Sequence, residues 1–175
     1  AHSSLLDPIL DEFRRFCRSI EFHAPQVPIA SNFTGQWLGV RSLKASEPVV
    51  NLFADFDDNL RNAYQREIEL FFASVVQEDR SVLDLLTADY TFVNERLAKQ
   101  YGIPNVYGPQ FRRVTFPAEL DMRRGLLGKG ALLTVTSNAA RTSPVTRGKW
   151  FLQTFLGVSP PDPPGDVPAF KEKAA

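Results

Sequence analysis

The sequence predicts a mainly α-helical fold, with about six helices around one aromatic-rich core and at most a small strand pair. Three observations carry that expectation. Apolar residues recur at helical spacing over several long stretches, the longest near residues 57–77. Fourteen Phe stand against 2 Trp and 1 Met, which points to an aromatic-rich core. Ser–Pro and Asp–Pro starts and Gly stops punctuate those stretches where helices begin and end.

Residues 5–21 read as an amphipathic helix. Asp7 caps it, Pro8 fits its first position, and Ile9, Phe13, Phe16 and Ile20 share one face with Cys17 beside them. In "HAPQVPIASN" the two prolines suit a short edge strand around Val27 to Ala30, pairing near 111–116. A short helix around Phe33 to Val40 buries Trp37 and Leu38, and "KASEP" breaks it. The longest helix runs from about Asp57 to Gln77, with Leu60, Tyr64, Ile68, Phe71, Phe72, Val75 and Val76 on its apolar face. Asp57 and Asp58 suit its positive dipole end. "SVLD" at 81–84 has the form of a capping box. "DYTFVNERLAKQYG" reads as a helix with Thr91 as cap and Gly102 as left-handed stop. "FRRVTF" alternates as a strand does, whereas "RRGLLGKGALLTVTS" suits either a buried helix or a strand. In the last helix Ser143 caps, Pro144 starts, Phe151, Leu152, Phe155 and Leu156 pack, and Gly157 stops; "PPDPPGDVP" is a stiff polyproline-type tail.

The bulk chemistry excludes several classes of function. Twenty basic and 20 acidic residues cancel, with a pI near 7.0, which favours neither nucleic acid nor an anionic membrane. Cys17 is the only cysteine, so an internal disulfide, a C-x-x-C pair and a covalently attached c-type haem are excluded. With His2 and His23 the only histidines, a tetrahedral zinc site lacks ligands. No metal or cofactor is expected. No apolar run approaches the roughly 18 residues needed to span a membrane.

Two family resemblances follow. Residues 1–35, "AHSSLLDPILDEFRRFCRSIEFHAPQVPIASNFTG", resemble the C-terminal part of modular polyketide synthase acyltransferase domains: an "HS" pair, a "DEFRR" helix, "FHAPQVP" and "SNFTG" occur in order. By that resemblance His2 falls on the general base. The serine elbow it would activate is missing, because no G-x-S-x-G occurs in the 175 residues. No catalytic residue is therefore assigned.

Residues 32–175 resemble the bacterial "domain of unknown function 1592", on "NFTGQWLGVRSL", the long helix, "FRRVTF", "RRGLLGKGALLTVTSNAARTSPVTRGKWFLQTFLG" and "PPDPPGDVP". That family occurs in large exported bacterial proteins that commonly carry c-type cytochrome domains. The resemblance implies other domains of a larger parent protein as partners, a c-type cytochrome domain among them, and a periplasmic or extracellular location. The polyketide synthase reading implies a cytoplasmic one, with an acyl-carrier thioester as partner. The two resemblances together suggest a fusion: an acyltransferase-like segment at 1–31, a helical domain at 32–158 and a proline-rich tail at 159–175. The expected role is a non-catalytic structural or interaction module; the alternative is an inactive acyltransferase-related fragment.

Candidate binding chemistry centres on "RTSPVTRGKW". Amides at a helix start attract anions, and Arg141, Ser143, Arg147 and Lys149, with Arg123 from "MRRG", form an anion-binding candidate. The competing account has Ser143 and Pro144 simply capping a helix while Arg147 pairs with a carboxylate. Asn94, Glu95 and Tyr101 suit a pocket lining or, equally, a helix tied to a neighbouring loop. Asp55, Asp57 and Asp58 lack the glycine and distal glutamate of a calcium loop, so a helix cap accounts for them better. Asn32-Phe33-Thr34 is a sequon, and Trp37 and Trp150 are core candidates. If the fusion reading holds, deleting residues 1–31 shifts the melting temperature by only a few degrees, whereas Trp37→Ala costs about 3–5 kcal/mol.

Overall fold

The computed structural model describes residues 35–49 and 51–160, together with Arg15, which is helical. The rest of the expected helix at 5–21, the strand around 27–30 and the tail beyond residue 160 lie outside the described residues. The fold is mainly α with one small antiparallel sheet.

Helix α1, Asp58–Gln77, is the central element. Asp57 is extended and its carboxylate accepts the Leu60 N–H at 2.6 Å, which fixes the start where the sequence places it. Leu60, Ala63, Tyr64, Ile68, Phe71 and Val75 are buried along one stripe, while Phe72 is only half-buried. Position 67 of that stripe is a glutamate. It is wholly buried.

The expected helix around Phe33 to Val40 takes a different form. A helical turn over 35–37 meets Gly39 in the left-handed region (φ 70°), and a 3-10 turn follows at Val40–Ala45. Glycine adopts that backbone without strain, so the chain reverses there and buries Leu38, Val40 and Leu43.

Two expectations after α1 need correction. "SVLD" forms no capping box: helix α2 is Asp84–Thr87, the Ser81 hydroxyl accepts the Leu83 N–H, and the Asp84 carboxylate is taken by Arg80 Nε at 2.7 Å. Thr91 caps no helix. Strand β1, Tyr90–Val93, pairs antiparallel with β2, Arg112–Thr115, in the register Tyr90↔Thr115 to Val93↔Arg112. The β-branched and aromatic run Tyr-Thr-Phe-Val suits the pleat. Asn94 then caps helix α3, Glu95–Tyr101, by accepting the Leu97 N–H, and Gly102 ends it at φ 72°. The strand at 111–116 is therefore present, and its partner is β1.

Two 3-10 turns, Ala118–Arg123 and Leu126–Gly128, lead into helix α4, Gly130–Val135, which settles the helix-or-strand alternative for this run. Helix α5, Pro144–Phe155, has Ser143 as cap and Pro144 at its start, and Gly157 follows at φ 63°. Its Phe155 gathers Trp37, Trp150 and Phe151 at ring-centroid distances of 5.3, 5.6 and 5.2 Å. Trp37 is half-buried, and its indole N–H donates to the Thr154 carbonyl at 3.0 Å. Because part of the ring keeps its water contact, Trp37→Ala is expected to cost about 3 kcal/mol, the low end for such a truncation. A urea titration checks this, and a loss below half of that value would take Trp37 out of the core.

Candidate functional site

Four residues from separate elements meet in the core between α1, the sheet, α3 and α4. Glu67 of α1 uses both carboxylate oxygens: Oε1 accepts from the Thr91 hydroxyl at 2.5 Å and Oε2 from the Tyr101 hydroxyl at 2.6 Å. The Tyr101 oxygen in turn accepts the Gly130 N–H at 2.8 Å. Lys129, fully buried, donates to the Tyr90 carbonyl at 3.1 Å. Its ammonium lies over the rings of Phe71 and Phe116, at 4.3 and 4.9 Å.

Burial sets the electrostatics. It pushes the Glu67 carboxyl up, opposed by Lys129 and by the Thr91 and Tyr101 hydroxyls. Burial also raises the Tyr101 phenol well above its ordinary value, with the Glu67 charge adding to the effect. The Lys129 ammonium is lowered to about 8, mainly by desolvation, with Glu67 pulling the other way and Arg123 adding to the shift.

A pH effect follows. Between pH 8 and 10 unfolded Lys129 carries a proton that the folded state has released, so stability rises with pH across that window. The gain attributable to Lys129 reaches about 2 kcal/mol at pH 10, before the raised pKa values of Tyr64 and Tyr101 act in the opposite direction. Urea midpoints at pH 7, 8, 9 and 10 measure it. Subtracting the Lys129→Met curve isolates the lysine, and a flat difference would count against the assignment.

Beside this cluster opens a cleft of about 460 Å3 between residues 46–56, the start of α1, α4 and the turn after it. Tyr64 and Gly130 lie along it, with Arg123 and Arg141. Gly130 is required there, since a Cβ would stand 2.1 Å from the Tyr64 ring. The Arg123 guanidinium is half-buried and lies over the Tyr101 ring at 4.0 Å.

Of the anion-binding candidates, the structure brings only Arg123 and Arg141 to one cleft. Ser143 accepts the Thr146 N–H as a cap. Arg147 donates to the Thr136 and Ser137 hydroxyls and the Leu133 carbonyl, which ties α5 to the end of α4. Lys149 is exposed on α5. Asn94 caps α3, and Glu95 accepts from Lys99 and from the Gly108 N–H, both at 2.7 Å. Asp57 caps α1, Asp58 pairs with Arg61 at 2.7 Å, and the Asp55 carbonyl accepts from Arg96. His2 lies outside the described residues. Among the described residues no three His, Cys, Asp or Glu side chains gather as a metal site, and no helix is long and apolar enough to cross a membrane.

Sequence reasoning missed the Glu67–Lys129 cluster, although a signal was present. Glu67 interrupts an apolar stripe at helical spacing, and Lys129 stands between two glycines inside the apolar run "GLLGKGALL". A charge placed at a core position is the informative departure from pattern.

Residues 23–103 match the family "PSD4: Protein of unknown function (DUF1592)", and residues 123–175 match "PSCyt3: Protein of unknown function (DUF1588)". The resemblance read over 32–175 as one family thus divides into two, with 123–175 falling to the second. The non-reducing polyketide synthase stmB of Aspergillus ustus is 58% identical over 33 residues, which are 19% of this chain and 2% of that protein. No solved structure matches the chain. In sequence order, then, the chain carries a segment similar to DUF1592 followed by one similar to DUF1588.

Proposed function

We propose that the chain is a non-catalytic structural or interaction module of a larger exported bacterial protein, working in the periplasm or outside the cell. Its partners are other domains of that parent, a c-type cytochrome domain among them. The observation that carries this reading is the closure of the buried cluster. Both Glu67 oxygens accept bonds, the Tyr101 hydroxyl donates one and accepts another, and Lys129 is fully buried with its ammonium over two rings. General acid–base work needs a group within reach of a substrate proton, and among the described residues these groups bond to one another, to the Tyr90 carbonyl and to the Gly130 N–H. The two matched families, both described as of unknown function, are compatible with such a role.

Turnover assays on ester, thioester and glycoside panels are expected to stay blank. Reproducible activity abolished by one point substitution would overturn the reading. The fusion of an acyltransferase-like segment, 1–31, to a helical domain, 32–158, and a tail, 159–175, belongs to the same proposal. A contiguous genomic read through codons 25–45 tests it. The second reading, an inactive acyltransferase-related fragment, draws on the 33-residue similarity to the synthase. Upstream coding sequence with a G-H-S-x-G elbow would favour it.

A further inference from the structure

The cleft beside Tyr64 holds donors that the fold leaves largely unused. Arg123 carries five N–H donors. Among the described residues it makes one hydrogen bond, to the Gly128 carbonyl at 3.4 Å, and no ion pair with a carboxylate. Half-buried and lying over Tyr101, its guanidinium is held in place before any ligand arrives. Tyr64, 7% exposed, lines the same cleft, and its hydroxyl makes no hydrogen bond to another described side chain. Arg123 and Tyr64 line the same cleft, and the Arg123 charge opposes the rise that burial imposes on the Tyr64 phenol.

The rest of the lining is mixed, with an apolar stretch on one part of the wall and polar side chains such as Gln100, Thr134 and Asn138 on another. Leu52 and Phe53, 61% and 44% exposed, stand at the mouth, with Phe56 and Leu133 further along. Such large exposed apolar groups beside a fixed cation suit a ligand with one charged end and a hydrophobic body. Glu47 and Asp55 also line the cleft. Both are exposed, where water and salt screen them, and Arg141 offsets part of their charge. The volume, about 460 Å3, suits a small molecule.

We propose that this cleft binds a small amphipathic carboxylic acid, with its carboxylate at Arg123 and the Tyr64 hydroxyl and its apolar body against Leu52, Phe53 and Phe56. A planar guanidinium matches a carboxylate with two parallel bonds, and the phenol supplies a third donor. The site is distinct from the closed Glu67 cluster and requires no catalysis.

The test is an amide-shift NMR titration of the full chain with 4-phenylbutyrate, 4-phenylbutan-1-ol and acetate. Saturable shifts around the cleft are expected with phenylbutyrate. The alcohol, lacking the charge, and acetate, lacking the apolar body, should each bind at least about tenfold more weakly. Arg123→Gln should weaken phenylbutyrate binding about tenfold or more, and Tyr64→Phe about threefold or more. Leu52→Ser, at an exposed position, keeps the question open to test if either of those variants melts early, and should also weaken phenylbutyrate binding. The proposal is overturned by equal binding of acid and alcohol, by no saturable shift at the cleft, or by wild-type affinity in a folded Arg123→Gln or Leu52→Ser variant.

Discussion

Glu67→Ala is expected to destabilise the protein by about 4–5 kcal/mol, because it breaks a buried charged cluster from its centre. The truncation leaves the Thr91 and Tyr101 hydroxyls without the oxygens that accept from them. It also leaves Lys129, fully buried, without the opposing charge of Glu67, and opens a cavity inside α1's packed face. Glu67→Gln keeps the shape and one carbonyl acceptor, so its cost should be smaller, about 1–3 kcal/mol. The double variant Glu67→Leu, Lys129→Met removes both charges together, and should be closer to wild type than Glu67→Ala. Urea titrations of the three variants decide the matter. If Glu67→Ala falls within about 1 kcal/mol of wild type, the cluster is not what joins α1 to the sheet and α3.

How much of this was legible depended on how local the determining contact is. The start of α1 was readable because the Asp57 cap, the acidic first turn and the apolar stripe all lie within a few residues of one another. Ser143–Pro144 and Gly157 bounded α5 for the same reason. Residues 90–93 were not readable as a strand. Four residues give too short a period to separate from the helix that follows, and Thr91 is a good cap by type. What removes it from capping is Glu67, 24 positions earlier, which takes its hydroxyl. The anion candidates divide in the same way. Sequence proximity grouped Arg141, Ser143, Arg147 and Lys149, but α5 turns Arg147 inward towards Thr136 and leaves Lys149 exposed. Arg123 and Arg141 line one cleft only because two 3-10 turns and α4 bring the chain back past Tyr64. Charge was visible in the sequence, whereas the side of the molecule it serves was set by long-range packing.

Gly125→Ala should cost about 4 kcal/mol, although the change adds a single methyl group. Gly125 sits between the two 3-10 turns at φ 58°, ψ −165°, a backbone region open essentially to glycine alone. Strain there contributes about 1–3 kcal/mol for any L side chain. Space adds to it. A Cβ would stand 2.4 Å from both the carbonyl carbon and oxygen of Leu86, and 2.7 Å from the Leu85 oxygen. These are backbone atoms of α2, so no rotamer change relieves the clash; α2 or the turn has to shift. The Gly125 N–H also donates to the Ala88 carbonyl at 3.0 Å, a bond that such a shift would weaken. Displacement would propagate four residues on, to Lys129 and the Gly130 amide that holds Tyr101. Gly148→Ala provides the contrast: nothing lies within 4 Å of its added methyl inside α5, so better helix propensity should stabilise by about 0.5–1 kcal/mol. Chemical denaturation of both variants should therefore move their midpoints in opposite directions, and a Gly125→Ala midpoint equal to wild type would show that α2 does not press against this turn.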